Sequence, residues 1–179
     1  KIAIGPPPMV VRAGRLKGDV LAAEGRYPEA IKEFKKVQSV DLVGGFVEQE
    51  KMMACLGQAE SLLSLGRFSE AASLIRTMLS GSHPEEVPIA TTNVLLGNAY
   101  SLLGRSLAEM KQDQDALIAY LTVDLVYGDA PETHAEALFQ LFQLWNRGGY
   151  PRRAEEVRKK LMKTYPQSTW ATDLNPSTK

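Results

Sequence analysis

Apolar residues recur along most of this chain every three to four positions, which is the spacing of one face of an α-helix. The two-residue alternation that marks a half-buried strand is missing from the sequence. The pattern predicts helices over residues 10–24, 28–40, 45–65, 69–80, 86–111, 113–127, 131–147 and 151–164. We therefore expect an all-α protein.

Glycine and proline residues mark the ends of these helices. Glycines fall where three of the helices should end in a left-handed residue: Gly25, Gly66 and the Gly148–Gly149 pair. Pro28 and Pro151 lie where a first helical turn needs no amide hydrogen. Ser69 is expected to cap the fourth helix with its hydroxyl. Longer connections are expected at Pro84, Pro88 and Pro131.

The two ends of the chain are expected to lie outside the helical part. Three consecutive prolines at residues 6–8 are incompatible with a helix interior and predict an N-terminal extension over residues 1–9. The tail over residues 172–179 is expected to be flexible, which leaves one helical domain over residues 10–171. The start KIAIGPPPMVV has no initiator Met, so we expect a fragment of a longer protein.

One short motif occurs twice, as GRYPEA at residues 25–30 and as GRFSEA at residues 66–71. Alignment on its alanine extends the repeat to four helix-turn-helix units. The aligned alanines are 41, 45 and 38 residues apart, at Ala30, Ala71, Ala116 and Ala154. Such a period is typical of stacked helical repeats and not of one closed globule. The sequence therefore predicts four stacked helical hairpins.

The residues around each shared alanine explain why the motif recurs. A small residue early in the second helix lets the two backbones of a hairpin approach closely. Larger residues four and seven positions later are expected to fill the space beside it: Phe34, Val37, Ile75, Met78, Tyr120 and Val123. Tyr27 and Phe68, three residues before the alanine, are expected to close the end of the hairpin and fix its turn.

This combination resembles the tetratricopeptide repeat (TPR) family. Units of that family carry a small residue in the first helix, Gly-x-Tyr/Phe in the turn, an Ala three residues later and an aromatic four residues after that. The first two units match well, with Gly18, Gly25, Tyr27, Ala30 and Phe34, and with Ala59, Gly66, Phe68 and Ala71. The third unit departs most, since Lys111 and Asp113 replace the turn glycine and the aromatic. The resemblance covers residues 11–171.

The resemblance implies a right-handed α-solenoid of about four hairpins that acts as a non-enzymatic protein–protein interaction scaffold. In this family the first helices line a concave groove in which a peptide or a partner protein lies. The polar groove positions are Arg15, Asp19, Glu60, Asn98, Ser101, Arg105, Glu109, Gln143, Asn146 and Arg147. The apolar ones are Leu56, Leu63 and Phe139.

The densest polar set in this expected groove is Asn98, Arg105, Asn146 and Arg147. Asn can hydrogen-bond a peptide backbone and Arg can hold a carboxylate with two hydrogen bonds. The set is therefore suited to an extended acidic segment or to a chain terminus. The alternative interpretation is that these side chains form ordinary solvated helix faces.

Charge argues against two classes of partner. The chain has 21 Lys and Arg against 21 Asp and Glu, so its net charge gives no footprint for nucleic acid or an anionic membrane. Residues 106–136 hold seven acids against one Lys, and residues 147–163 hold seven bases against two acids. We interpret both as solvated faces with ion pairs between helices. No apolar run reaches the length of a membrane span, so no membrane insertion is expected.

The compartment stays open between the cell envelope and the cytoplasm. The close of the fourth unit, LMKTYPQSTWA, resembles the repeat ends of bacterial cell-envelope TPR proteins, including the periplasmic type. Tyr165 and Trp170 in that stretch also fit the packing of a terminal helix. The single cysteine, Cys55, cannot form an internal disulfide and so does not decide between the two.

No residue pattern predicts catalysis. His83 and His134 have no second His or Cys at ligand spacing, and Cys55 lies on an apolar face without a nearby His. We therefore expect no enzyme, no cofactor and no metal. One alternative is the regulatory domain of a larger multidomain enzyme. Another is a self-associating assembly domain, a homodimer formed through the VLLGNAYSLLG face together with Met52, Met53, Leu62 and Leu63.

Overall fold

The computed structural model describes residues 7–81 and 87–174, and within these two ranges it contains nine α-helices and no β-strand. The helices are α1 (Pro7–Ala23), α2 (Tyr27–Gln38), α3 (Gly45–Ser64), α4 (Phe68–Ser80), α5 (Ile89–Glu109), α6 (Asp113–Val126), α7 (Pro131–Arg147), α8 (Pro151–Thr164) and α9 (Thr169–Leu174). The first eight lie where the apolar period predicts helices. The all-α prediction is confirmed.

The structure differs from the prediction at both ends of the helical part. α1 begins at Pro7, three residues before the predicted start. Proline is tolerated there because the first turn of a helix needs no amide hydrogen. Residues 172–174, assigned from the sequence to a flexible tail, belong to α9, which buries Ala171. The assignment of residues 10–171 to one domain stays a prediction.

The helix starts are partly as predicted. Pro28 and Pro151 lie in the first turns of α2 and α8. The predicted Ser69 cap is wrong, because α4 begins at Phe68 and its N-cap position is Arg67, which makes no side-chain capping bond. His83 and Pro84 lie outside the described residues.

The four turns inside the hairpins share one backbone geometry. In the first, Gly25 has a φ of +75° and its N–H donates to the Ala22 carbonyl at 2.9 Å, while the Arg26 N–H donates to the Leu21 carbonyl at 2.8 Å. This pair of bonds is the Schellman motif, which needs a left-handed residue. It recurs at the left-handed residues Gly66, Lys111 and Gly149. The third hairpin therefore keeps the turn although it lacks the glycine.

The Arg and Glu of the repeated motif form forked ion pairs across the first turn of the second helix. Arg26 donates to both carboxylate oxygens of Glu29, at 2.8 and 2.6 Å. Arg67 does the same with Glu70, at 2.7 and 2.6 Å. Sequence reasoning assigned no role to these residues. Because the pairs are exposed, they support the turn modestly.

Close packing inside the hairpins follows the predicted pattern. The four shared alanines are buried, and so are Phe34, Ile75 and Tyr120 four residues after them. A Cβ atom on Gly18 would lie 2.5 Å from the Phe34 ring, and one on Gly104 would lie 2.7 Å from the Tyr120 ring. These glycines therefore admit an aromatic side chain that no larger residue would allow.

The chain divides into two compact units, unit one (residues 1–95) and unit two (residues 96–179). The boundary falls within α5. In unit one, α1 packs against both α2 and α3, and α3 packs against α4. In unit two, α7 packs against α6, α8 and α9. The core of unit two includes Ala135, Leu138, Leu161 and Ala171.

Candidate partner-binding faces

The first helices of successive hairpins contact each other through polar side chains in both units. In unit one, Arg15 of α1 bonds Glu50 of α3. In unit two, Asn98 of α5 bonds Thr133 of α7, and Ser101 bonds Glu136. Each of these contacts joins residues 35 positions apart. We call the α1–α3 side of unit one face one, and the side of unit two formed by α7 and residues 96–109 of α5 face two.

Face one is organised by the guanidinium of Arg15. Arg15 donates from Nε to Glu50 and from Nη1 to Asp19 one turn along α1. The Arg15 side chain is 13% exposed and that of Glu50 is 4% exposed, so this ion pair is largely removed from water. The more exposed Arg12 lies 3.9 Å from the second oxygen of Glu50. The network joins α1 to α3 and fixes the position of Asp19.

Burial has the largest effect on the pKa of Asp19 in face one. Burial raises the pKa of Asp19 above its ordinary value of 3.8, and the nearby Glu50 raises it further. Arg15 acts in the opposite direction without outweighing these two effects.

Asp19 lies at the edge of a concave pocket on face one. The pocket has a volume of about 350 Å³. It is lined by Asp19, Ala22, Ala23, Tyr27, Phe34, Gly57, Glu60, Ser61 and Ser64. The Ser61 hydroxyl donates to the Gly57 carbonyl at 2.8 Å, and that of Ser64 donates to the Glu60 carbonyl at 3.1 Å. The two carboxylates are therefore the charged groups among the described lining residues.

Face two carries an interhelix network of its own. The Ser101 hydroxyl, 3% exposed, donates to Glu136 at 2.8 Å, and Thr133 donates to the Asn98 side-chain oxygen at 2.6 Å. Arg105 reaches Glu136 with an Nε to oxygen distance of 3.8 Å. Asn98, Ser101 and Arg105 thus lie around acceptors and donors of α7, and Ser101 is buried there instead of facing a partner.

The other predicted groove residues of unit two lie further along α7. Arg147 donates to Asp113 of α6 at 3.0 Å. Gln143 and Asn146 are exposed. Arg105 and Arg147 therefore both interact with carboxylates of their own chain, which weakens the expectation that they hold an acidic segment. Their role in partner binding stays a prediction.

The apolar residues assigned to the groove or to self-association are mostly in the core. Leu56 and Leu63 are buried, and Phe139 is half-buried against Trp170 of α9, with 5.2 Å between the ring centroids. Most of the large apolar side chains of the surface predicted for a homodimer are also buried: Met52, Leu62, Leu63, Leu95, Leu96, Leu102 and Leu103. Self-association stays a prediction. Periodicity shows which side of a helix is apolar but not how deeply each residue on that side is buried. The sequence therefore did not separate core residues from groove residues.

A buried polar cluster in unit two was missed from the sequence. His134 Nε2 lies 2.7 Å from an oxygen of Asp124, and its Nδ1 lies 2.8 Å from the Tyr165 hydroxyl. Lys160 donates to the same Asp124 oxygen at 2.6 Å. Burial alone would raise the pKa of Asp124, but the hydrogen bonds from His134 and Lys160 outweigh it and lower that pKa. These residues join α6, α7 and α8. The sequence carries no signal for this cluster, because its members lie far apart along the chain and meet only through the packing of the helices.

The side chains that could carry out chemistry, such as the Cys55 thiol, lie in structural positions. Burial raises the pKa of the Cys55 thiol to about 11, which disfavours the reactive thiolate. Within the described ranges, no group of three His, Cys, Asp or Glu residues is placed to hold a metal ion. Among the described helices, none is both long and apolar enough to cross a membrane.

Comparison with known proteins supports the fold alone. No protein-family model and no curated protein matches the sequence. A solved structure, MamA 41-end from Desulfovibrio magneticus RS-1, superimposes with a TM-score of 0.62 at 19% sequence identity. The match covers 90% of this chain and 77% of that one. Together with the repeated hairpins, this similarity shows that the chain has a TPR-like helical-repeat fold, an all-α solenoid.

Proposed function

We propose that this chain is a non-enzymatic interaction module that binds a peptide or a segment of a partner protein on the faces of its first helices. The observation that carries the proposal is the pocket of face one, which is lined by residues of α1, α2 and α3 and combines apolar walls with two carboxylates. Helical-repeat proteins commonly bind partners along extended surfaces built by successive repeats. The groove assignment of Arg15, Asp19, Glu60, Asn98, Ser101, Arg105, Gln143, Asn146 and Arg147 belongs to this proposal.

The positions of the reactive side chains favour binding over catalysis. Both ring nitrogens of His134 are engaged, one by Asp124 and one by Tyr165. Cys55 is buried without a base that would activate it among the described groups around it. The fold itself does not decide function, since one fold supports many unrelated functions. A binding role asks only for an accessible and chemically distinctive surface, which face one supplies.

Peptide selection followed by face-specific variants tests this proposal. Dodecapeptides selected on the intact chain from a random phage-displayed library would be labelled and titrated by fluorescence polarisation. We expect Asp19→Asn/Glu60→Gln or Asn98→Ala/Arg105→Glu to weaken their binding by about tenfold or more. The control Lys32→Ala/Lys35→Ala changes exposed residues of α2 and should leave binding unchanged.

Two results would contradict the proposal. One is selection of no peptide by a chain that is folded by circular dichroism. The other is a set of selected peptides whose binding ignores both face variants or responds only to the α2 control. The first result would show that the chain does not bind peptides of this kind, and the second would place peptide binding away from the first helices.

A further inference from the structure

α1 carries an apolar stripe on its exposed side. The members of this α1 stripe are four, three and four residues apart and share one face of the helix: Met9, Ala13, Leu16 and Val20. Ala13 is exposed, and the exposed fractions of the other three lie between 46% and 58%. Val11 and Leu21, on the other side of α1, are buried. Single apolar residues on a surface need no explanation, but a continuous stripe indicates an interface.

The repeat shows what covers the same positions in the second hairpin. The left-handed turn residues of the first two hairpins are 41 positions apart, so the equivalents of the α1 stripe in α3 are Glu50, Ala54, Gly57 and Ser61. Three of these four are at most 3% exposed. A Cβ atom on Gly57 would lie 2.6 Å from the Phe34 ring of α2. Glu50 bonds Arg15 of α1. This side of α3 is therefore buried against the preceding hairpin.

The later first helices bury the same positions. In α5 the four equivalents are all buried: Leu95, Ala99, Leu102 and Ser106. In α7 the equivalents of Ala13 and Val20 are Ala137 and Leu144, which are also buried, and α7 packs against α6 of the preceding hairpin. Among the first helices that the structure describes, α1 alone exposes this side. The α1 stripe therefore has the character of a helix-packing surface that lacks its neighbour.

The last hairpin of a second copy does not supply that neighbour. Its helices α7 and α8 are both packed against α9, where Trp170 lies on Phe139 with 5.2 Å between the ring centroids. The exposed side of α8 carries charged residues, among them Arg152, Lys159 and Lys163. Apolar residues of the α1 stripe would gain little from contact with such a surface. An extension of the repeat from copy to copy is therefore disfavoured.

The α1 stripe of a second copy fits the stripe itself. Apolar residues that alternate four and three positions apart form the seam by which two like helices pack. Contact between identical patches is two-fold, so it closes as a dimer. Contact with a different exposed patch, such as Ile118 and Leu125 of α6, would leave one patch of each kind uncovered and continue into rings or filaments.

We propose that the α1 stripe is a dimer interface, at which Met9, Ala13, Leu16 and Val20 pack against the same stripe of a second copy of this chain. The inference goes beyond the proposed function and does not rest on it. It assigns self-association to the exposed side of α1 and not to the surface predicted from the sequence, whose large apolar side chains are mostly buried.

Sedimentation of the intact chain over a wide range of concentrations tests the interface. We expect an equilibrium between monomer and dimer without larger species. Leu16→Glu/Val20→Glu places charges in the apolar contact and should weaken dimerisation at least about a hundredfold. The matched control Ile118→Glu/Leu125→Glu makes the same change at exposed apolar positions of α6 and should leave the dissociation constant unchanged. Circular dichroism should show both variants folded, because all four side chains are exposed.

Cross-linking locates the contact independently. Leu16 lies near the middle of the α1 stripe, so a two-fold contact brings it close to the Leu16 of the other copy. With the native thiol removed by Cys55→Ala, Leu16→Cys should therefore form a covalent dimer under mild oxidation. Ile118→Cys in the same background is the control and should stay monomeric on denaturing gels.

Four results would overturn the inference. They are a monomer at every concentration, assemblies larger than a dimer, the same loss of dimer in both double variants, and equal cross-linking at the two cysteine positions. None of them bears on peptide binding, because the face variants that test the proposed function leave the α1 stripe unchanged. Loss of peptide binding in those variants, with the dimer intact, would show that the two surfaces act separately.

Discussion

Lys111 shows how a single residue departs from the repeat without breaking it. Its φ of 62° is the only described positive φ outside glycine, and it occupies the place that Gly25 and Gly66 fill in the first two hairpins. A side chain in this conformation crowds the following carbonyl. The side chain is exposed and none of the described hydrogen bonds involves its ammonium group, so the strain has no evident compensation from that group.

We predict that Lys111→Gly increases the free energy of unfolding by about 1 kcal/mol, because relief of the left-handed strain exceeds the extra entropy of glycine in the unfolded chain. Urea denaturation followed by circular dichroism measures this, with an unchanged slope as evidence that only stability has altered. Lys111→Ala is the control, since alanine keeps the Cβ atom. A gain with alanine equal to that with glycine would mean that the backbone is not the cause.

We predict that Gly18→Ala destabilises the chain by about 2 kcal/mol, because the new Cβ would lie 2.5 Å from the Phe34 ring in a packed core. Thermal or urea unfolding measures the loss. Combination with Phe34→Leu should recover part of it, so the two changes should be clearly non-additive. Strict additivity would show that Gly18 is required for a reason other than the ring.

At the scale of elements, Asp124 joins three helices of unit two. It belongs to α6, and its carboxylate bonds His134 of α7 and Lys160 of α8. The Asp124 side chain is 10% exposed, so removal of its charge weakens the hydrogen bonds to both partners in a mostly buried place. A change at this one position should therefore loosen the packing of α7 against both neighbours.

We predict that Asp124→Asn lowers the free energy of unfolding by about 2 kcal/mol near neutral pH. Because the folded pKa of Asp124 lies below 3.8, its contribution is present above that value and is lost as the pH falls through the folded pKa. The variant should therefore lose less stability than the parent below about pH 4. Asp115→Asn, an exposed change on the same helix, is the control, and a parallel pH profile for parent and Asp124→Asn would contradict the linkage.

At the scale of the whole molecule, most of the architecture follows from sequence periodicity. Helices long enough to show several turns, such as α3 and α7, are predicted within a few residues of their ends. α9 is too short to show a period, and the left-handed Lys111 violates the residue preference on which turn prediction depends. The right-handed sense of the superhelix stays a prediction.

The candidate site was less predictable than the fold. Face positions such as Arg15, Asp19 and Ser101 follow from the register of the first helices. Their partners do not follow from it, because Glu50 and Glu136 lie on a different helix from the residues that they bond. The alignment of two helices against each other depends on tertiary packing. Leu56 and Leu63 show the same limit for burial, since one sequence does not reveal how closely a neighbouring helix approaches.

The repeat architecture predicts that a destabilising substitution affects mainly the helices near it. In helical-repeat proteins each hairpin is stabilised mainly by its neighbours, so a lesion in one part lowers the protection of that part first. Glu50→Ala breaks the largely buried ion pair with Arg15 and should lower the stability of unit one by about 3 kcal/mol, although the ion pair between Arg15 and Asp19 remains. Hydrogen exchange should then accelerate in α1–α3 and remain unchanged in α7 and α8. Leu161→Ala, in the core of unit two, should give the reverse pattern. Equal acceleration in both units would show that the chain unfolds as one cooperative body, because a quasi-one-dimensional array cannot transmit the loss of one ion pair uniformly to all its helices.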